Sequence, residues 1–221
     1  MTTLTSEQKN AVLDEIILER RTHRRFKEEM PSDEMIREMI RAGLHAPFAG
    51  AAVAGENEYF RRFFVIRKNS ETMASLTPLL FGEVVRMASD LDRAVEKNGQ
   101  FRARATGFIA RLAMIKKMGS VPGVGTAPFF IVIAEKKGFP LVEQESLAHC
   151  LENMWLKATA LGLGFQLVSV TAQMADNQEF CKLLGLEPGN WGFMGCAVGY
   201  PVETLSASVR PAVSDVTTWL R

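Results

Sequence analysis

Four arginines, a threonine and a histidine crowd into "RRTHRRF", residues 20–26, directly after a stretch whose apolar residues recur at helical spacing. A guanidinium is a planar fork of fixed donors, and a hydroxyl beside it completes the donor set of a phosphate, which accepts several short charge-assisted bonds at once. Arg20 and Arg21 close the helix. An extended continuation alternates its side chains, so Thr22 and Arg24 are expected on one side and His23 and Arg25 on the other. A bound small anion fits this pattern. So does a plainer arrangement, because cations at a helix C-terminus suit the helix dipole without any ligand. The residues alone leave both open.

The rest of the chain limits the partners. Its 221 residues carry 26 Lys plus Arg against 25 Asp plus Glu, so the arginine cluster is local and no general excess of base points to nucleic acid. Cys150, Cys181 and Cys196 are odd in number, far apart and form no CxxC, which predicts reduced thiols rather than disulfides or a zinc site. His23, His45 and His149 lack metal-ligand spacing, so no metal is expected. The start, "MTTLTSEQKNAVLDEIILERR", has no signal-peptide pattern, and no apolar run approaches the roughly 20 residues of a membrane span. A cytoplasmic protein is expected.

The elements that must position the cluster follow from periodicity. Ser6 is the expected cap of a first helix with Val12, Leu13, Ile16 and Ile17 on one face. "PSDEMIREMIRAGLHAP" reads as a second helix, capped by Ser32, with Met35, Ile36, Met39 and Ile40 inward. "FFVI" (63–66) is a short strand, and residues 71–118 form a helical, arginine-rich excursion with breaks expected at Pro78 and Asn98-Gly99. "FFIVIAE" (129–135) is the strongest strand. "ESLAHCLENMWLKATALGLG" is a long helix closing on glycine, "FQLVSV" a strand, "NQEFCKLLG" a short helix and "WGFMGCAVGYP" the last strand. The order is α+β, a single domain with helices on a mostly antiparallel sheet. "GSVPGVGTAP" has no GxGxxG, which weighs against a dedicated dinucleotide fold.

"ILERRTHRRF" followed by "PSDEMIREMIRAGLHAP" resembles the opening of the FMN-dependent nitroreductase family. Ala127-Pro128 before "FFIVIA", the LGLG helix end, "VGYP" (198–201) and "VRPAVSDVTTW" (209–219) fall in that family's order. The resemblance implies a nitroreductase-like sandwich that binds FMN and takes electrons transiently from NAD(P)H. It implies that Arg20 and Thr22, with Arg21 beside them, hold the phosphate, joined by Arg210 from the far end of the chain. It also implies that Arg24 meets the N1 and C2-carbonyl edge of the flavin, and that a backbone N–H near Ser169 and Val170 meets N5. A fixed cation near N1 favours reduction, because reduced flavin carries negative charge there. The chemistry is then the flavin's, with no catalytic side chain.

One stretch departs from the family pattern. Where the family reads Ala-Pro-Ser-Ala-x-Asn-x-Gln-Pro-Trp, this chain reads "APFAGAAVAG", placing Phe48, Ala51 and Val53 where polar residues ordinarily meet the flavin or substrate, then Ala54 and Gly55. Those three residues are candidate substrate contacts in an apolar pocket. The implied activity is electron transfer from NAD(P)H to a nitroaromatic, quinone or enone acceptor. The alternative is a non-catalytic FMN-binding or flavin-free interaction protein on the same scaffold. The resemblance further implies a homodimer, and Leu4, Trp219 and Leu220 are apolar residues that a lone subunit would expose.

Overall fold

The computed structural model describes residues 4–53, 59–97 and 99–220. Helices α1 (Ser6–Glu19) and α2 (Asp33–Leu44) precede strand β1 (Arg61–Arg67). The long helices α3 (Glu71–Lys97) and α4 (Gly99–Met118) lead to β2 (Phe129–Lys136), then α5 (Glu143–Ala160), β3 (Gly164–Leu167), α6 (Gln178–Leu183), β4 (Trp191–Gly199) and the short α7 (Val213–Val216). The four strands are antiparallel in the order β1-β2-β4-β3, so β1 and β3 are the edges.

The burial of β2 explains the whole layering. It is central and covered on both faces, so every second side chain enters a different core. Phe129, Ile131 and Ile133 pack with Ile36 and Met39 of α2 and Leu147 and Met154 of α5. Phe130, Val132 and Ala134 pack with Leu76 and Leu80 of α3, Leu112 and Ile115 of α4, and Phe180 of α6. The unbroken apolar run "FFIVIA" is what a strand buried on both faces requires.

Two local expectations are corrected. The cap of α1 is Thr5, whose hydroxyl accepts from Gln8 N while the Gln8 side chain accepts from Thr5 N, a reciprocal capping box one residue before Ser6. The shared apolar face of α1 carries no buried residue, and Val12, Leu13 and Ile17 are exposed. Helix α3 runs through Pro78 without a break, because burial of Met73, Leu76, Leu80 and Val84 along one face outweighs one missing amide bond. The expected break at Asn98 lies outside the described residues, between the end of α3 and the start of α4. The Ser32 cap of α2 and the inward Ile36 and Met39 are as expected. No helix among the described residues is long and apolar enough to cross a membrane.

Candidate functional site

The arginine segment leaves α1 and runs along the β3 edge as a partial further strand. His23 N donates to Phe165 O at 3.0 Å, Thr22 pairs with Phe165 in a parallel bridge, and Lys27 N donates to Tyr200 O at 2.9 Å. Two glycines permit this approach. Gly162 closes α5 at φ +71, a conformation side chains rarely adopt, and a Cβ on Gly164 would sit 3.0 Å from His23 Cβ. Trp155 Nε1 donates to Arg21 O at 3.2 Å and fastens the segment to α5.

The side chains of the cluster divide by what they touch. Arg25 forks onto Glu203, with Nη2 to Oε2 at 2.6 Å and Nε to Oε1 at 3.2 Å. That bond holds the Glu203 carboxyl below its ordinary value, while burial pushes the nearby His23 below its own. Arg21 donates through Nε to Ser206 O and through Nη1 to Leu18 O and Arg20 O, so it clamps the chain that follows β4. Arg20 lies 4.5 Å over the Trp155 ring and 3.5 Å from Glu152. Arg24, on the Thr22 side of the segment, is exposed and has no hydrogen-bond or ion-pair partner among the described residues.

The chain leaves β3 in the same direction and winds into a one-sided 3-10 turn, Ser169–Met174. Like any helix start, this turn has leading N–H groups that no residue within it can accept. Those of Ser169 and Val170 have no acceptor among the described residues, although Val170 is buried. Both border a cavity of ≈ 330 Å³ between this turn and α3 and α4. The parallel bridge at Thr22 aligns the two strands, so Arg24 and the Ser169–Val170 donors both lie beyond it in one direction. A loose cation, a hydroxyl and two unused N–H groups together fit a planar, acceptor-rich anion such as a flavin nucleotide.

The other sequence candidates lie elsewhere in the chain. The Phe48 ring lies 4.3 Å, centroid to centroid, from the ring of Phe60 in a tilted contact, and Phe60 precedes β1 at the opposite sheet edge. Ala51 and Val53 belong to a short 3-10 turn, Gly50–Val53, whose Ala52 O accepts from Phe139 N at 3.1 Å. Ala54 and Gly55 lie outside the described residues. Arg210 is exposed on the C-terminal segment and donates only to the adjacent Val209 O among the described residues. One chain therefore gathers Arg20, Arg21, Thr22, Arg24, Ser169 and Val170 on one edge, and leaves Phe48, Ala51 and Val53 at the other.

Two further groups bear on chemistry. The three cysteines are free and buried, and burial pushes the Cys150 thiol up to about 12, which leaves it inert as a nucleophile near neutral pH. Among the described residues no cluster of His, Cys, Asp and Glu is arranged for a metal. Sequence reasoning missed Gln166, which is 4% exposed and lines the cavity, and whose Nε2 donates to Pro122 O at 2.9 Å. Its signal was a lone polar residue inside the apolar run "FQLV".

Comparison with known proteins bears on the family and the fold. A family model described as "Nitroreductase family" matches residues 17–200. Among solved structures, a nitroreductase with bound FMN from Desulfitobacterium hafniense is 22% identical, with 95% of this chain and 98% of that one covered at a TM-score of 0.65. One with bound FMN from Bacteroides fragilis is 18% identical, covering 95% and 98% at 0.64. Oxidized iodotyrosine deiodinase bound to FMN and 3-iodo-L-tyrosine is 18% identical, covering 91% and 96% at 0.64. No curated protein sequence matches the chain.

Proposed function

Because the chain belongs to the nitroreductase family, we propose that it is an FMN-dependent oxidoreductase that moves electrons from NADH or NADPH to an organic acceptor of the nitroaromatic, quinone or enone type. The observation that carries this reading is the pair of unused N–H groups at Ser169 and Val170, set beside a segment that presents the unpaired Arg24. When bound, FMN supplies reversible two-electron chemistry.

The chain's own groups supply the rest. Arg20 and Thr22, joined by Arg210, bind the phosphate through charge-assisted bonds. Arg24 sets a positive charge at the N1 and C2-carbonyl edge, where negative charge accumulates on reduction. The Ser169 and Val170 N–H groups would hold and orient the N5 edge of the ring. Phe48, Ala51 and Val53 sit on the β1 side, so within this reading they reach a flavin only from a second copy of the chain. Exposure of Leu4, Trp219 (88%) and Leu220 (92%) supports such a homodimer. The buried free thiols suit a reducing, cytoplasmic setting.

Purification followed by anaerobic addition of NADH or NADPH tests the reading. A yellow protein that releases FMN and is bleached by either nicotinamide is expected. Failure to take up FMN at micromolar concentration makes it a flavin-free scaffold protein, and FMN binding without bleaching makes it a non-catalytic member.

A further inference from the structure

A second cavity opens at the other end of β4, and strand register sets its chemistry. Alternate residues of a strand share a face. Phe64 and Ile66 of β1 and Val132 and Ala134 of β2 thus meet the core under α3 and α6, and the same alternation carries Arg62 and Lys136 to the end of that face. Trp191, paired with Lys136, begins β4 there. Helix α6 stops at Leu183, and the chain returning from it to β4 leaves a cavity of ≈ 660 Å³ against this end of the sheet.

The lining is unbalanced in charge. Among the described residues three cations, Arg62, Lys136 and Lys137, line the cavity against one carboxylate, Glu187, which leaves two positive charges over. Arg62 lies 6.0 Å over the Trp191 ring. Lys137 is half-buried, its backbone N–H is taken by Asn190 O at 2.9 Å, and its ammonium has no hydrogen-bond or ion-pair partner among the described residues. Glu187 is exposed and forms no ion pair among them either. Like charges gathered against low-dielectric walls raise the local potential, and an entering anion relieves it.

The rest of the lining is apolar, with Phe64, Leu186 and Trp191 among it. A bare anion would leave that surface unused, and a neutral ring would leave the charge. A phosphate monoester carries about −1.5 to −2 near neutral pH with three acceptor oxygens, which matches the two surplus charges. The volume falls within the roughly 300–1,000 Å³ range of ligand pockets, enough for a phosphate, a sugar and a ring.

We propose that this cavity binds a nucleoside monophosphate, with the phosphate on Arg62, Lys136 and Lys137 and the ring against Phe64 and Leu186. It shares no lining residue with the cavity beside Ser169 and Val170. It also lies at the start of β4, whereas β3 pairs with the end of that strand and the arginine segment bridges to β3. The site is therefore separate from the one assigned to FMN and independent of the oxidoreductase reading.

Equilibrium dialysis of the protein with AMP, adenosine and inorganic phosphate, with and without saturating FMN, tests this. Wild type is expected to bind one AMP per chain, and adenosine and phosphate each about ten-fold or more weaker. Lys137→Gln should weaken AMP binding about ten-fold without changing stability in urea, and Lys137→Arg should keep most of the affinity. Glu187→Gln should tighten AMP binding about two-fold or more, because it removes the one like charge. Arg20→Ala and saturating FMN should leave AMP binding as it is. No binding at millimolar AMP, adenosine or phosphate bound as tightly as AMP, or an AMP affinity untouched by both Lys137→Gln and Glu187→Gln overturns the proposal. Displacement of AMP by FMN, or its loss in Arg20→Ala, places the nucleotide on the arginine segment and overturns it as well.

Discussion

The two edges of the sheet each carry a prominent arginine, and they use it in opposite ways. At the β1 edge the Arg61 side chain is fully buried: its Nε donates to Glu135, Nη1 to Gly43 O and Nη2 to Ser146 Oγ, each at 2.9 Å. At the β3 edge Arg24 is exposed and touches no acceptor among the described residues. The first arginine is consumed by the fold and the second is left over. Count and type of charge are therefore a poor guide to a site, and the presence or absence of a partner is a better one. The Arg61 network also shows the cost of burial. Desolvation holds Glu135 above its ordinary value, the nearby charge of Glu143 adds to the rise, and Glu143 Oε2 has no hydrogen bond among the described residues. With a raised folded-state value, Glu135 favours the native state fully below about pH 4.5, its ordinary value, and that contribution declines as pH rises through the folded value.

The comparison breaks most visibly at Arg61. Arg61→Met leaves Glu135 buried without its cation and should destabilise the flavin-free protein by about 3–5 kcal/mol, measured by urea denaturation. Arg24→Met under the same conditions should change stability by less than about 0.5 kcal/mol, as expected for an exposed side chain without partners. Equal losses at the two positions would erase the distinction between the edges.

Next in size is the loss of cofactor binding. Arg20→Ala should weaken FMN affinity by about 1.5–3 kcal/mol, measured by fluorescence titration, because a charge-assisted bond to phosphate disappears. Arg25→Ala serves as the contrast, since its fork is already taken by Glu203. An unchanged FMN affinity in Arg20→Ala removes that residue from the phosphate site.

The smallest expected effect is on redox potential. Arg24→Gln should lower the two-electron potential of bound FMN by roughly 30 mV, equivalent to about 1.4 kcal/mol, and slow reduction by nicotinamide. A potentiometric titration that places the variant at or above wild type would sink the role of Arg24 at the flavin N1 edge.

What the sequence determined by itself is local or strictly periodic. The Ser32 cap, the inward Ile36 and Met39 and the strand over "FFIVIAE" were all legible, because each depends on neighbours within one turn or one pleat. The stripe on α1 was legible as a face, while what covers that face is not given by periodicity. Pro78 misled, because a propensity cost cannot be weighed against burial before the packing is known. Only the tertiary structure decided that Thr22 would lie beside Phe165, that Ser169 and Val170 would keep unused N–H groups, that Gln166 would be buried with an unpaired oxygen, and that "APFAGAAV" would fall on the opposite edge. Each of these depends on which hydrogen-bond partners distant segments find or fail to find. That is settled when the sheet assembles in the order β1-β2-β4-β3, and it leaves no periodic mark in the chain.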